Sequence, residues 1–393
     1  MPAATMRHML RILPLFVIFI ASRAPSEESR LVASGTIPGL TVPPRTTVTV
    51  LADHKSLGVT SPTALAFGEG GELYLTETHR FRHGIPDNRG HLYWVIDDLA
   101  SRTTADRMRM YEKWQHKEAN TSMEFLTEIS EVLRVLREPG DDGVFGTQQV
   151  FAEDFNDALD GTAAGVFEYE GTVYLACIPK IYALRDTDGD GTADERQVIQ
   201  DGFGVHVSLS GHDLNGFVLA PDGRIYGTMG DRGFHGTTRE GKHYNLHDEG
   251  FVFRFDPDGS NFEVIHTGLR NPKEIAFDDF GNFISVDNNC DQGDKARVVY
   301  IVDGGDTGWH MGHQALLSFH NQLGMEKRPP AAWMNERMWD LPNPAQPAFV
   351  LPPVAHLTSG PSGLAYHPGA GFLESEVGRF FICDYRGGAA KSG

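Results

Sequence analysis

Hydrophobic and polar residues alternate over many short stretches of this chain, a pattern that predicts β-strands. In 61–77, 214–231 and 271–288, two such stretches flank a turn that contains Gly, such as PDG or EGG. Alternation with a period of two buries one face of a strand, and a Gly-containing turn between two alternating stretches is typical of a hairpin. Helical patterns do not alternate with the strands, so the chain is predicted to be all-β and not α/β.

The same hairpin recurs along the chain, and this repetition predicts a β-propeller. A looser copy covers 360–385 and a shorter one covers 165–178. Two further strand-like stretches follow each copy, which gives four strands per repeat and repeat lengths of about fifty residues, as in propeller blades. The predicted blades are 44–157, 163–202, 211–268 and 270–320, with the first two strands of another from 358 onward.

Two insertions interrupt the predicted blades. The first, about 80–120, contains one long helical stretch, 104–117, with Thr103 or Thr104 as its N-cap. The second, about 311–353, is irregular and rich in Pro, Trp and Met. Loops of this length on a propeller are lids or partner surfaces, or they pack on the rim as decoration. Because a propeller hides its sheet edges by closing, we also expect further blades beyond the C terminus of this sequence.

The N terminus has the features of a signal peptide. Basic residues precede an apolar run, 12–21, that is too short to span a bilayer comfortably, and residues 22–24 offer a small-x-small cleavage site. The alternative is an anchor that is never cut. The predicted organisation is a signal peptide (1–24), a linker (25–43) and an incomplete propeller (44–393).

Charge and cysteine content exclude several classes of function. The formal net charge of −19 argues against binding nucleic acid through the net field of the protein. The three cysteines, Cys177, Cys290 and Cys383, are too far apart for a CxxC or CxxCH motif. This stretch of sequence therefore encodes neither a c-type haem site nor a Cys-rich zinc site.

The segment DTDGDGTADE (186–195) predicts a structural calcium loop. Three Asp residues at alternate positions before a Gly offer hard oxygen ligands on a tight turn. An EF-hand needs Glu at the twelfth position, which is Gln197 here, so the segment is more similar to the shorter calcium loops of extracellular bacterial proteins. The alternative is an acidic turn without a metal. The predicted ligands are Asp186, Asp188, Asp190, Asp194 and Glu195.

His212, Asp231 and Arg270 form a candidate catalytic group. All three lie at the ends of predicted inner strands, which point to the central channel of a propeller or to its mouth, so distant positions can converge there. A His beside a carboxylate can act as a general base, and an Arg can hold an anionic cofactor or polarise an oxygen. Judged by composition alone, such residues more often satisfy turns.

Across 210–310 the sequence resembles the soluble quinoprotein glucose/sorbosone dehydrogenases, which implies a six-bladed propeller. The phrases that carry the resemblance are GHDLNGFVLAPDGRIYGTMGDRG, TGLRNPKEIAFDDFGNFISVDNN and GGDTGWH. The resemblance implies that His212 takes the proton of a substrate hydroxyl and that Asp231 orients His212. It also implies that Arg270 and Asn271 hold pyrroloquinoline quinone (PQQ).

Further site residues follow from the same resemblance. Lys273, which stands where the family usually has Gln, and Arg386 are implied as additional cofactor contacts. Backbone of the stretch Asn288, Asn289 and Cys290 is implied to hold an active-site Ca²⁺.

A second resemblance covers nearly the whole chain after the signal peptide. HRFRHGIPDNRGHLYWVIDDLASRT, DTDGDGTADE and VDNNCDQGDKARVVYIVDGGDTGWHMG resemble the PVC-type haem-binding CxxCH family of membrane-bound dehydrogenases. Members of that family continue into helical repeats and a c-type haem domain. The resemblance implies that electrons leave through such a domain, encoded beyond this sequence, or through a separate cytochrome. The implied location is the periplasm or the outside of the cell, with membrane association as an alternative.

The sequence is compatible with three functions. The first is a dehydrogenase that oxidises a sugar or alcohol hydroxyl with PQQ and Ca²⁺. The second is a metal-dependent propeller lactonase, with Asp231, Asp287, Asn288 and Asn289 around a central divalent ion. The third is a non-catalytic propeller that binds carbohydrate or a partner. Because one fold hosts many functions, the site has to decide between them.

Overall fold

The computed structural model describes residues 19–21, 32–33, 37–42, 46–290, 293–339, 350–357, 360–367, 369 and 374–384. Most of the predicted signal peptide and part of the predicted linker lie outside these residues, as does Arg386. In the described part of the chain, no helix is long and apolar enough to cross a membrane. The N-terminal region contributes four short strands: β1 (Phe19–Ala21), β2 (Val32–Ala33), β3 (Thr41–Val42) and β4 (Thr46–Val48).

Blades one and two are four-stranded antiparallel sheets whose strands follow chain order. Blade one consists of β5 (Pro62–Phe67), β6 (Leu73–Glu77), β7 (Glu131–Pro139) and β8 (Phe145–Phe155). Blade two consists of β9 (Ala163–Tyr169), β10 (Thr172–Cys177), β11 (Lys180–Arg185) and β12 (Glu195–Asp201). Both blades agree with their predicted bounds, except that blade one begins at β5.

Blade three has five strands and carries an inserted hairpin. Its order is β13 (Leu214–Leu219), β14 (Ile225–Met229), β17 (Gly250–Phe255), β18 (Glu263–Leu269) and β22 (Gly305–Asp306). The hairpin consists of β15 (Phe234–Thr237) and β16 (His243–Leu246). Strand β22 runs parallel to β18. The prediction that 270–320 belongs to blade four is therefore wrong for β22, because this strand returns to the edge of blade three.

Blade four receives its fourth strand only after the second insertion. It contains β19 (Pro272–Phe277), β20 (Phe283–Asp287), β21 (Arg297–Tyr300) and β23 (Ala355–His356), and a last hairpin follows, β24 (Pro361–Tyr366) with β25 (Phe380–Asp384). The described residues thus form four complete blades and the first two strands of a fifth, as the repeats predicted. They do not form the six blades implied by the resemblance.

Face-to-face packing of adjacent blades builds the core. The cluster between blades two and three contains the buried residues Tyr174, Phe203, Phe234 and Phe253, and the rings of Phe203 and Phe234 stack with centroids 4.5 Å apart. Burying each such side chain contributes about 1.5–3 kcal/mol. Because the alternating strand faces pack in this way, the innermost strands β9, β13 and β19 lie side by side around the axis.

Among the described residues, six α-helices lie outside the blades, and most of them belong to the two insertions. They are α1 (His54–Leu57), α2 (Val95–Ala100), α3 (Thr104–Trp114), α4 (Met123–Thr127), α5 (Gly312–Ser318) and α6 (Ala332–Glu336). As predicted, a helix begins at Thr104, and of the two predicted N-cap candidates it is the Thr103 side chain that accepts from the Asp106 amide. The helix ends at Trp114, three residues earlier than predicted.

The two insertions meet in one hydrophobic cluster, which we call the helical cap (residues 80–127 and 311–319). Trp94 and Tyr111 of the first insertion pack with Ala315 and Phe319 of the second. Val207, on the segment that leads into blade three, belongs to the same cluster. The insertions therefore form a joint cover next to blade three.

Asp98 attaches the helical cap to the propeller. This fully buried carboxylate accepts hydrogen bonds from the amides of Val207 (2.7 Å) and Ser208 (3.1 Å) and from Asn88 Nδ2 (2.6 Å). A buried acceptor with three donors is costly to remove, because each donor is left without a partner away from water.

We expect Asp98→Ala to lower the free energy of unfolding by about 3 kcal/mol, since it leaves three buried donors unsatisfied. Urea denaturation followed by tryptophan fluorescence measures the change. Asp97→Ala is the matched control, because Asp97 is partly exposed and its carboxylate accepts, among the described residues, only from Lys113, which is exposed, and from the partly buried Trp114 indole. Exposed ion pairs such as that with Lys113 contribute about 1 kcal/mol or less. Equal losses in the two variants would contradict the attachment role of Asp98.

Candidate active site

Neighbouring strand ends bring the predicted catalytic residues together. His212 lies two residues before β13, and Asp231 lies two residues after β14, the strand that pairs with β13 through Leu214 and Met229. Arg270 lies two residues before β19, and its carbonyl accepts a hydrogen bond from the Asp231 amide at 2.8 Å. The antiparallel register of blade three and the proximity of blade four therefore place all three residues at one end of the propeller.

His212 and Asp231 form a buried hydrogen-bonded pair. His212 Nδ1 donates to Asp231 Oδ1 at 2.7 Å, and Trp309 Nε1 donates to Asp231 Oδ2 at 2.9 Å. His212 is 5% exposed and Asp231 is 1% exposed. Because the carboxylate holds the proton on Nδ1, the lone pair of Nε2 is available, and Nε2 has no hydrogen-bond partner among the described residues. This geometry suits a general base.

The surroundings keep this pair in the protonation state that a base requires. Burial lowers the pKa of His212, and the positive charges of Arg270 and Lys273 lower it further, although Asp231 opposes them. Burial alone would raise the pKa of Asp231, but His212, Arg270 and the Trp309 N–H together hold it below its usual value. At neutral pH the imidazole is therefore neutral and the carboxylate is ionised.

Arg270 is buried beside the pair with part of its guanidinium unpaired. Nε and Nη2 donate to Gln314 Oε1 at 2.9 and 2.7 Å, and the guanidinium carbon lies 5.6 Å from the centre of the Trp309 ring. Nη1 is buried and has no partner among the described residues, and the same is true of Asn271 Oδ1. An unpaired buried donor and an unpaired buried acceptor on consecutive residues could each bind a polar atom of a cofactor.

Lys273 is engaged within the protein. Its ammonium donates to the backbone carbonyl of Gly211, directly before His212, and to Asn215 Oδ1 at 3.2 Å. Burial lowers the pKa of Lys273 to about 8. The predicted cofactor contact at this position would have to share an ammonium group that already holds the segment leading to His212.

The residues at Asn288 to Cys290 do not fit the predicted active-site Ca²⁺. The Asn288 carbonyl accepts from Arg297 Nη2 at 3.1 Å, and the Cys290 carbonyl accepts from Asn289 Nδ2 at 2.9 Å. Arg297 is buried, and its guanidinium carbon lies 4.7 Å from the centre of the Trp333 ring. A positively charged side chain therefore lies where a Ca²⁺ ion would have to contact the Asn288 carbonyl oxygen.

Three of the four residues predicted as lactonase metal ligands also have oxygens that are occupied by hydrogen bonds. Both oxygens of Asp231 accept hydrogen bonds, as described above. Asp287 accepts from the amides of Arg270 and Asn271 and lies 3.3 Å from Arg297 Nε. Asn288 Oδ1 accepts from the Gly360 amide at 3.2 Å. These hydrogen bonds join blades three, four and five at the end of the propeller that contains His212.

The predicted calcium loop brings three of its five acids together. One oxygen from each of Asp186, Asp188 and Asp190 lies within 4.8 Å of the others. Backbone amides of Gly189 and Gly191 already donate to the Asp186 carboxylate at 2.7 and 2.8 Å. Asp194 is turned to Thr187, and Glu195 begins β12.

Three residues of the site escaped sequence analysis: Trp309, Gln314 and Arg297. Trp309 lies in the phrase GGDTGWH, which carried the resemblance, but its indole N–H had no assigned role. Gln314 belongs to α5, for which the irregular composition of the second insertion offered no signal. The role of Arg297 follows from its register opposite Asp287 in β20 and β21.

The helical cap leaves little space above Asp231. A cavity between Asp231, Leu209, Gln314 and Phe319 has a volume of about 10 Å³, room for about one water molecule. A substrate that approached from this side would therefore need the cap to move.

The fold and the site together define the chain as a β-propeller that carries, at one end and beneath a helical cap, a buried His–Asp pair and a partly unpaired Arg. The chain belongs to the family described as a domain of unknown function (DUF7133), which matches residues 34–385. A search of the curated proteins finds no match.

Several solved structures are similar to the chain. The PQQ-bound form of aldose sugar dehydrogenase from Streptomyces coelicolor is 16% identical, with 80% of this chain and 74% of that chain covered and a TM-score of 0.45. A putative oxidoreductase (glucose dehydrogenase) from Thermus thermophilus is 18% identical, with 79% and 75% covered and a TM-score of 0.41. The nidogen/laminin complex is 13% identical, with 68% and 73% covered and a TM-score of 0.34.

The lowered pKa of His212 predicts a pH dependence of stability. Below the ordinary histidine pKa of about 6.5, the unfolded chain binds a proton at this residue that the folded protein does not bind, so stability is lost as the pH falls. We expect His212→Asn to reduce the difference in unfolding free energy between about pH 7.5 and about pH 5.5 by up to about 1.4 kcal/mol. Guanidinium unfolding at the two pH values measures it.

The control is His116→Asn, because His116 is exposed at the end of α3. Asp231 remains ionised over this range, because its pKa lies below the ordinary value. A difference that is the same in His212→Asn and in the unchanged protein would contradict the assignment of a buried neutral imidazole.

Proposed function

We propose that this protein is a quinoprotein-type dehydrogenase that oxidises a hydroxyl group of a sugar or alcohol. The observation that carries the proposal is the His212–Asp231 pair, whose Nε2 is unpartnered, next to Arg270, whose Nη1 is also unpartnered. Oxidation of an H–C–O–H group to a carbonyl releases the hydroxyl hydrogen as a proton and the carbon-bound hydrogen as a hydride equivalent, so it needs a base and an acceptor. His212 is the base.

The proton of the hydroxyl passes to His212 Nε2. The Asp231 carboxylate keeps the ring in the tautomer with the proton on Nδ1, and it stabilises the imidazolium that forms after proton transfer. Trp309 donates to the second Asp231 oxygen, so the carboxylate cannot rotate away from the imidazole. Asp231 and Trp309 are thus positioning residues for the base.

Arg270 and Asn271 are the residues that would hold PQQ. When bound, PQQ supplies the acceptor for the hydride equivalent removed from the substrate carbon. Gln314 and the Trp309 ring fix the Arg270 guanidinium, so that Nη1 is oriented before any ligand arrives, and preorganisation of this kind reduces the cost of binding. Because Asn288 to Cys290 do not fit a Ca²⁺ ion, no step is assigned to one there.

The proposal extends to the cellular location of the protein, its electron acceptor and its partner. The protein is exported by its signal peptide and acts in the periplasm or outside the cell. Electrons pass on to a c-type haem domain encoded beyond this sequence or to a separate cytochrome. A sugar or alcohol is the partner, and nucleic acid is not.

The direct test is titration of PQQ into the purified protein, followed by assays of dye reduction with a panel of sugars and alcohols. We expect saturable binding and turnover. His212→Ala should lower kcat by about 10²–10⁴ while PQQ still binds, because only the base is lost. Arg270→Ala should weaken PQQ binding itself, and the exposed His116→Ala should change neither quantity.

A folded protein that binds no PQQ would overturn the proposal. Lactone hydrolysis without quinone would then favour the hydrolase. Glycan binding that is insensitive to His212→Ala would favour a binding propeller.

We also propose that the loop at 186–195 binds Ca²⁺ and braces the hairpin between β11 and β12. A ligand that binds only the folded state stabilises it by about 2.7 kcal/mol at a hundredfold excess over Kd. We therefore expect Ca²⁺ to raise Tm relative to EDTA, and the double variant Asp188→Asn, Asp190→Asn to lose most of this increase. An unchanged increase in the double variant would refute this site.

A further inference from the structure

Asn215 and Lys273 occupy matching positions in neighbouring blades and contact each other. Asn215 is the second residue of β13, and Lys273 is the second residue of β19. The pairing register shifts between Asn215 and Phe217 in the first strand and between Pro272 and Ile275 in the second. Irregularities of this kind bend a strand and turn its side chains to a new direction. The Lys273 ammonium donates to Asn215 Oδ1 at 3.2 Å.

The backbones of the two strands also approach closely at this level. A Cβ atom added to Gly216 would lie 2.8 Å from the carbonyl oxygen of Lys273, and Gly216 has a φ of +30°. Both the lack of space and the positive φ favour glycine at this position. The inner strands of blades three and four are therefore packed directly against each other where Asn215 and Lys273 meet.

Asn215 and Lys273 together hold the carbonyl groups on both sides of His212. The Lys273 ammonium donates to the carbonyl of Gly211, and Asn215 Nδ2 donates to the carbonyl of Asp213 at 2.7 Å. Because Asn215 Oδ1 accepts from Lys273, these contacts form one connected set from the residue before His212 to the residue after it. We call Asn215 and Lys273 the His212 clamp.

The His212 clamp complements Asp231. Asp231 fixes the imidazole ring through Nδ1, whereas the clamp fixes the backbone from which the ring extends. The position of Nε2 depends on both. A displacement of about 1 Å at a reacting group can lower a rate by about a hundredfold, so a base needs both kinds of support.

The Lys273 ammonium also acts on the protonation of His212. The positive charge of Lys273 adds to burial and to Arg270 in lowering the pKa of His212, and Asp231 opposes them. Burial lowers the pKa of Lys273 itself to about 8, so most of its charge is present at neutral pH. The charged groups that act on Lys273 are Asp213, Glu274 and Arg270.

We propose that Lys273 is a positioning residue for His212, which acts by holding Gly211 and Asn215 and by favouring the neutral imidazole with its charge. This role rests on the proposed function of His212 as the base, but the protonation and mobility of His212 can be measured without PQQ or substrate. It replaces the cofactor contact that the family resemblance implied for Lys273. A Gln, which the family usually has here, would keep N–H donors without the charge.

The first test is NMR of the full chain with isotope-labelled histidine, with His212→Asn to assign the signals of His212. We expect Lys273→Gln and Lys273→Met each to raise the pKa of His212, because each removes a positive charge beside the imidazole. Lys273→Met also removes the donors. The Nδ1–H of His212 should therefore exchange with water about tenfold faster in this variant, the factor that one lost hydrogen bond accounts for.

Lys55→Met is the matched control, since Lys55 is exposed in α1. A pKa of His212 that neither Lys273 variant changes would overturn the proposal, and so would Nδ1–H exchange that Lys273→Met leaves at its original rate. Circular dichroism checks that the variants fold. Should Lys273→Met be unfolded, Asn215→Ser takes its place in the exchange measurement with the same expected result, because it removes the donor to the Asp213 carbonyl.

The second test measures kcat and KM with PQQ on the plateau of each variant's pH profile, where His212 is neutral. We expect Lys273→Met to lower kcat by about ten- to a hundredfold with little change in KM, because the base is displaced while substrate contacts remain. Lys273→Gln should lower kcat less. An unchanged kcat in Lys273→Met would contradict the clamp. Absence of turnover in the unchanged protein would count against the dehydrogenase, whereas the NMR measurements would still decide the role of Lys273.

Discussion

The carboxylate of Asp231 connects three parts of the chain that are distant in sequence. One oxygen holds His212 from the start of blade three, the other holds Trp309 from the end of blade three, and the backbone amide holds the carbonyl of Arg270 at the start of blade four. A buried carboxylate is tolerated only when such partners satisfy it. The orientation of the candidate base, the register of two blades and the position of Trp309 therefore depend on one another.

The end of the propeller that contains this pair is both polar and buried, and burying polar groups costs free energy unless they are paired. Several of its charged groups are matched: Asp98 by two amides of the segment before blade three and by Asn88 of the cap, Asp213 by Arg232, and Asp287 by amides and Arg297. Among the buried side-chain atoms that have no hydrogen-bond partner in the described residues are Arg270 Nη1 and Asn271 Oδ1, on the segment next to the pair. An unpartnered donor and an unpartnered acceptor on consecutive residues point to a ligand more clearly than a single atom would.

Much of the fold was accessible from local sequence, because a strand that buries one face must alternate and a tight hairpin needs Gly. Blade two and the hairpin of each blade were predicted nearly to the residue, and Thr103 was one of two N-cap candidates recognised from their chemistry. Strand β22 was assigned to the wrong blade, because two residues carry too little pattern to reveal a parallel partner. The fourth strand of blade four was missed because a long insertion separates β23 from β21.

The residue types of the candidate site could also be predicted from the sequence, since His212, Asp231 and Arg270 lie at the ends of strands whose pairing the pattern predicts. Their environment could not. Whether Lys273 and the Asn288 carbonyl are free, whether the insertions cover the site, and which buried oxygens lack partners all depend on packing between segments far apart in the chain. Trp309, for example, meets Asp231 across 78 residues, and Arg80 meets Phe155 across 75. Contacts of this range leave no periodic signal in the sequence, because they arise only when the blades pack around a common axis.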